Sequence, residues 1–435
     1  VKVTAVVVRP DDGAVLVLPS GLPRVEVAGK PWFPDVEAPV RALRTQLGIE
    51  ACVLLCLDDL PNATDYLMTV TGAVPDEARW VSDLDDPLVA AARIHLALPP
   101  DSPVTPAWTM PGWYAEAMPW IDTHLEAAGA PRTGLPVQVR SWGLSNVLRC
   151  PTAKGDVYFK ALAHSSTIRP ARAGALPLLF AHEPLLLEKL SGERPGAVPT
   201  PLAIDEQRAW MLLPDLGPAL AHEPDLSLWF EAVRGHARLQ RSYAGRSDRL
   251  LAFGCVDRRL AVLHGEVARL LGPNPATERL EPAERAVLPR RAEQLRAAID
   301  ELAAIGVPET LLHGDLHPRN VAVRDGRVLA FDWTDAAVSH PFLDLVTFAE
   351  QGSAISQDPR VKDAYLAEWE EYATPADLRR ALSLAEELGV LHQTMTSLHL
   401  RDHVSGTSAE SMVRGATSWL RRLVGTDVKE GLTAS

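Results

Sequence analysis

Two carboxylates and a carboxamide stand close together in the stretch His313-Gly314-Asp315-Leu316-His317-Pro318-Arg319-Asn320 and at Asp332 shortly beyond it. Their types and spacing suit phosphoryl transfer. One Asp can orient and deprotonate a hydroxyl. An Asn followed by a second Asp past a short hairpin can hold the metal ions that bridge nucleotide phosphates. The flanking residues supply the supports such a site requires. Leu311-Leu312 lead in as a short apolar strand, and Val321-Ala322-Val323 and Val328-Leu329-Ala330-Phe331 read as strands joined at Asp325-Gly326, a strong hairpin signal. Asp315 and Asn320 are therefore expected on a loop, and Asp332 at the end of a buried strand, a rigid base for a metal ligand.

Taken singly, each of these residues is an ordinary turn or cap residue. In this order and on these elements, the set resembles the aminoglycoside phosphotransferase and choline kinase superfamily of small-molecule kinases. The family pattern HGD-x-x-x-x-N, followed by a strand ending in D-[FW], stands here as HGDLHPRN and then FDW. The resemblance implies an α+β, bilobal protein-kinase-like fold with a small β-rich lobe and a large, mainly helical lobe. It implies ATP or GTP as phosphoryl donor, Mg²⁺, and a small-molecule hydroxyl as acceptor. Asp315 is then the catalytic residue, and Asn320 and Asp332 are the metal ligands. Asp344, in His340-Pro341-Phe342-Leu343-Asp344-Leu345, matches a mostly structural anchor of the family.

Such a site needs a small lobe that covers the phosphates and supplies a lysine. Residues 131–217 fit, with strands at Val137–Arg140, Val147–Cys150 and Val157–Leu162. The turn carrying Gly143 and Ser145 lets backbone N–H groups approach phosphate oxygens, or is a purely structural hairpin. Lys160, alternating out of Val-Tyr-Phe-Lys, stands where kinases keep the lysine of the α- and β-phosphates. A half-buried lysine needs a carboxylate. Glu183 is the expected partner, with Glu188 as the alternative. Pro184 is tolerated only in a first helical turn, which puts Glu183 at a helix start. Ala209 to Gly217 reads as a buried strand running into a turn and resembles the family's hinge, where the backbone of Leu213 would meet the nucleotide base. Residues 218–426 form the large lobe, with helical periodicity around Trp229 to Ala237, Leu260 to Leu271, Leu288 to Leu302 and Ala376 to Asp402. Asp335 and His392 are candidate acceptor contacts, and interior hydrogen bonding explains His392 equally well.

Residues 1–98 lie outside this pattern. Arg41, Leu43, Gly48 and Ile49 resemble the end of a Nudix box, but Ala42, Thr45 and Gln46 stand where metal-binding glutamates belong. The expectation is a Nudix-like domain without hydrolase activity; an unrelated α/β module is the alternative. A Pro-rich linker and an aromatic-rich helix follow over 99–130, and 427–435 reads as a tail.

Composition narrows the partners. A formal charge of −13 disfavours nucleic acid. No apolar run approaches a membrane span, and the apolar run at Val3–Val8 is too short for a signal peptide. Cys52, Cys56, Cys150 and Cys255 have no framework or zinc spacing and read as buried reduced thiols of a cytoplasmic protein. The sequence is silent on oligomeric state. The leading reading is an O-phosphotransferase for a small molecule, with an antibiotic or amino sugar as the acceptor class. A nucleotide-binding regulatory or sensor protein of kinase fold is the alternative, and a Nudix-type hydrolase the least favoured.

Overall fold

A run of β-branched residues opens the chain, and alternation decides how it is used. Val3, Ala5 and Val7 point one way and Val6 and Val8 the other, and both sets are buried. The strand is therefore interior to a sheet. The computed structural model describes residues 1–98, 105–163, 179–350 and 355–425. The Pro-rich stretch at 99–104 and the expected tail at 427–435 lie outside the described residues. In the first sheet, β1 (Lys2–Val8) pairs antiparallel with β2 (Val15–Val17) and β3 (Arg24–Glu26) and parallel with β5 (Ala63–Val70). Helix α1 (Glu37–Leu47) ends at Gly48 in left-handed backbone and leads into β4 (Ala51–Leu60), which pairs with β5. Strand β6 (Arg79–Val81) and helix α2 (Pro87–Leu96) complete the module.

Helix α3 (Trp113–Ala127) lays Trp113 and Trp120 against Phe159 and Trp210, with ring centroids 5.7 to 6.1 Å apart. It thereby backs the second sheet, made of β7 (Val137–Ser141), β8 (Ser145–Thr152), β9 (Gly155–Leu162), β10 (Ala203–Asp205) and β11 (Trp210–Pro214) in the order β10-β11-β9-β8-β7. Helix α4 (Glu183–Glu193) crosses between β9 and β10.

The large lobe begins with α5 (Leu226–Arg241) and continues through helices at Leu260–Leu271, Pro282–Ile305, Pro375–Arg401 and Gly406–Val424. Strands β12 (Val256–Asp257), β13 (Thr310–Leu312) and β16 (Ala337–Ser339) form a small sheet. Between β13 and β16 the chain makes the hairpin of β14 (Val321–Arg324) and β15 (Arg327–Ala330).

The first module was expected as a separate unit, yet it is fused to the small lobe. The segment Pro34–Val36 runs along the outer edge of β7, with Val36 N–H donating to Val139 O and Ser141 N–H to Pro34 O. An open edge strand exposes unpaired backbone groups, so covering it removes a liability. One continuous apolar core then runs from Val3 and Phe33 through Trp142 and Phe159 to Trp210.

Candidate active site

Strand β13 delivers the chain to His313-Gly314-Asp315 at the floor of the interlobe cleft. Gly314 is required there: its φ is +85°, and a Cβ would stand 2.3 Å from the Asp335 carbonyl oxygen. The turn is held by Asp344, fully buried, which accepts His313 N–H at 2.9 Å and Gly314 N–H at 2.8 Å. Asp344 also bonds His236 Nε2 at 2.8 Å and Gln240 Nε2 at 3.0 Å. From the other side Gln393 Nε2 donates to Gly314 O at 2.7 Å. The sequence reading singled out neither Gln393 nor His236, because an isolated polar residue on a long helix carries no local signal.

This scaffold presents Asp315 with its side chain 37% exposed to the cleft. Its carboxyl titrates above the ordinary range because the cleft walls withdraw it from water and Asp332 and Asp344 repel its charge. Asn320, in the turn Pro318–Asn320, donates from Nδ2 to Asp315 O at 3.2 Å. Among the described residues its side-chain carbonyl oxygen has no hydrogen-bond partner.

Asp332 departs from the expectation of a buried strand end. Strand β15 is exposed to half-buried and stops at Ala330. Asp332 follows in left-handed backbone at φ +64°, ψ +61°, a conformation that turns its carboxylate into the cleft. Lys160 Nζ bridges Asp332 Oδ1 and Glu183 Oε2, the latter at 2.7 Å. Glu183 is the first residue of α4, fully buried, and its Oε1 accepts Trp333 N–H at 2.8 Å. Glu188 instead pairs with Lys189 at the surface. Burial opposes charge on both members of the Lys160–Glu183 pair: it raises the Glu183 carboxyl, while Asp332 and Glu183 together hold the Lys160 ammonium above its usual value. Burial also disfavours charge on Asp332, but Lys160 outweighs it and keeps that carboxyl well below the usual carboxylate range.

The donor set suits a hard cation. Asn320 offers a free carbonyl oxygen and Asp332 its second carboxylate oxygen. Mg²⁺ is ordinarily bound by one or two such groups, with phosphates and water completing the shell. Among the described residues no group of three or more His, Cys, Asp and Glu could hold a metal. Asn320 and Asp332 would thus offer such a cation two protein oxygens.

Leu213 lies at the end of β11 opposite Tyr158, one residue past Leu212, the last residue paired with β10. The strand edge beyond that register has no strand neighbour. Asp335 lies beside Asp315; burial raises its carboxyl above the ordinary range, and the charges of Asp315 and Asp332 add to the rise. His392 is buried, and burial holds its imidazole well below the usual value and hence neutral. Its backbone oxygen accepts from Arg258, and Gln393 reaches the Gly314 turn instead.

The turn carrying Gly143 and Ser145 is not an open flap. Gly143 N–H donates to Ser408 Oγ at 3.2 Å, and a Cβ at Gly143 would meet Val404 at 3.0 Å. Ser145 Oγ accepts Trp142 Nε1 at 2.8 Å. Both residues are buried, and the Gly143 N–H and the Ser145 hydroxyl oxygen are each occupied by protein.

On α1, Thr45 bonds Arg41 O, and Gln46 bonds the Glu26 backbone. No carboxylate stands at Ala42, Thr45 or Gln46. The four cysteines are buried and free. Among the described residues no helix is long and apolar enough to cross a membrane.

The model of the phosphotransferase enzyme family matches residues 167–382. No curated protein matches the chain. Among solved structures, a choline/ethanolamine kinase family protein from Mesorhizobium loti is similar over 72% of this chain and 95% of its own, with 17% identity and a TM-score of 0.48. A macrolide 2′-phosphotransferase from Brachybacterium faecium covers 69% of this chain and 98% of its own at 18% identity and 0.45. A choline kinase from Streptococcus pneumoniae covers 71% and 99% at 11% identity and 0.47.

Proposed function

We propose, from the membership of residues 167–382 in the phosphotransferase enzyme family and the cleft described above, that the chain moves the γ-phosphoryl group of ATP or GTP to a hydroxyl of a small molecule. The observation that carries this reading is the convergence of Asp315, Asn320 and Asp332 with the Lys160–Glu183 pair on one cleft. Asp315 orients the acceptor hydroxyl and takes its proton, and the raised proton affinity of its carboxyl suits a base working near neutrality. Lys160, positioned by Glu183, binds the non-transferred phosphates. Asn320 and Asp332 hold Mg²⁺, which would neutralise charge on the phosphate oxygens. Leu213 meets the base. Most of the rate comes from positioning and charge stabilisation.

Asp335 beside Asp315 makes the acceptor side acidic, which favours an acceptor carrying an amine, such as an amino sugar or an aminated antibiotic. The test is a γ-phosphate transfer screen against antibiotics, amino sugars, amino alcohols and nucleosides, read as the mass shift of a phosphate. Transfer to an amine-bearing alcohol supports the reading. Nucleotide binding with no transfer across the whole panel would replace it with a regulatory role.

A further inference from the structure

Strand β7 carries a bulge that changes what one side chain faces. Gln138 pairs with Leu148 and Arg140 with Val147, so Val139 is the extra residue. In a regular strand, residues two apart share a face. Here the bulge puts Gln138 and Arg140 on opposite faces, since their partners Leu148 and Val147 are adjacent. Gln138 faces the first module, where its amide bonds Val53 N–H at 2.7 Å and Val53 O at 2.9 Å. Arg140 faces the other way. Val147 in turn pairs with Lys160 on β9, so Arg140, Val147 and Lys160 form one cross-strand row. Directly opposed residues of antiparallel strands present their side chains on the same face. Lys160 points into the cleft, and Arg140 therefore does too. Two strand spacings, about 10 Å, separate their backbones, and an arginine side chain covers much of that distance.

The guanidinium is held from outside the small lobe. Asp35 Oδ1 accepts from Nε at 3.3 Å and Nη2 at 3.2 Å, and the Trp32 ring lies 5.2 Å from Cζ. Trp32 is itself braced edge-to-face on Trp142, at 5.2 Å. Nη1 is left without a partner among the described residues. The side chain is 33% exposed at the cleft mouth. Its charge also reaches the catalytic carboxylates, lowering the proton affinity of Asp315 and Asp332.

We propose that Arg140, aimed by Trp32 and Asp35 of the first module, binds the terminal phosphate of the nucleotide and stabilises the charge on the phosphoryl group in transfer. This rests on the phosphotransferase reading. It gives the first module a task in the reaction, and it supplies charge over the phosphates where the Gly143 N–H is taken by Ser408. Trp32 and Asp35 are positioning residues, since neither touches the nucleotide.

The experiment compares Mg²⁺-ATP, a non-hydrolysable triphosphate analogue and ADP as titrants of the full-length protein by calorimetry. The analogue and ADP are the decisive pair, because only one carries a terminal phosphate. Arg140→Ala is expected to weaken the analogue at least tenfold and leave ADP within about twofold. ADP affinity also reports that the variant is folded. Arg140→Lys, which keeps the charge without the planar fork, should recover part of the loss. Asp35→Ala should reduce the preference for triphosphate over diphosphate by a smaller factor, with Asp35→Glu recovering part of it. Equal loss of analogue and ADP, or no loss of either, overturns the assignment. A raised acceptor KM with unchanged analogue affinity also overturns it, placing Arg140 on the acceptor. If the wild-type protein binds no nucleotide, the phosphotransferase reading fails first and takes this inference with it.

Discussion

The two walls of the cleft are held by opposite means. On the large-lobe side, Asp344 gathers His313 N–H, Gly314 N–H, His236 and Gln240 into a buried polar knot directly beneath Asp315. On the small-lobe side, the strand carrying Arg140 is held from the far side by another module, through Pro34–Val36, Asp35 and the Gln138–Val53 pair. The first wall is held by hydrogen bonds within its own interior. The second owes its geometry to contacts that span 85 to 105 residues of sequence at Gln138 and Arg140. Catalytic precision can thus be built by interior satisfaction or by external bracing, and this molecule uses one on each side.

Substitution should expose that difference. The largest effect is expected at Asp315: Asp315→Asn should lower transfer about 10³-fold, within the range for loss of a general base, with nucleotide binding by calorimetry nearly unchanged. Near wild-type turnover in that variant would remove Asp315 from its role. Asp344→Ala strips the knot of its only carboxylate and leaves buried donors unpaired. A loss of roughly 3–5 kcal/mol in denaturant unfolding is expected, together with impaired transfer. A loss below about 1 kcal/mol would mean that the large-lobe wall is not held from within.

Acid should act mainly on the same wall. Burial holds the imidazoles of His313 and His340 down, to about 4 and about 3. Both are therefore neutral in the folded chain, whereas in the unfolded chain they titrate near 6.5. Between those values the unfolded state binds more protons, so stability rises with pH there. The contribution is complete above about pH 6.5 and is lost as pH falls toward 4. The thermal midpoint, followed from pH 8 to pH 5, should hold steady and then drop. A flat profile through pH 5 would show that these imidazoles are not buried as described. The smallest effect is expected at the brace: Gln138→Ala leaves the Val53 backbone groups unpaired and should cost about 1–3 kcal/mol. Its signature would be a loss of stability with the acceptor KM unchanged.

What could be read in the sequence divides along the same line. The HGDLHPRN loop, the hairpin at Asp325-Gly326 and the Lys160 strand are local patterns, and each carries its own signal within a few residues. Glu183 could be set against Lys160 because Pro184 fixes a helix start. Three features escaped. The Val139 bulge is a matter of register between strands, and nothing in Val-Gln-Val-Arg announces it. The Gly143 turn looked free because Ser408, which occupies its N–H, lies 265 residues downstream. The apolar run Val328–Phe331 suggested a buried strand end at Asp332, whereas a left-handed residue beyond a half-exposed strand does the positioning. Backbone conformations of that kind are imposed by surroundings that sequence patterns do not encode.

Strand β4 has one more consequence. Its backbone receives Gln138 and Ser141 from the small lobe at Val53, and Thr407 from the large lobe at Cys56. The first module is consequently a third partner in the seam between the lobes, which also meet directly through Gly143 and Ser408, Lys160 and Asp332, and Glu183 and Trp333. Any opening of the cleft must therefore carry β4 along or break its bonds to one of the lobes.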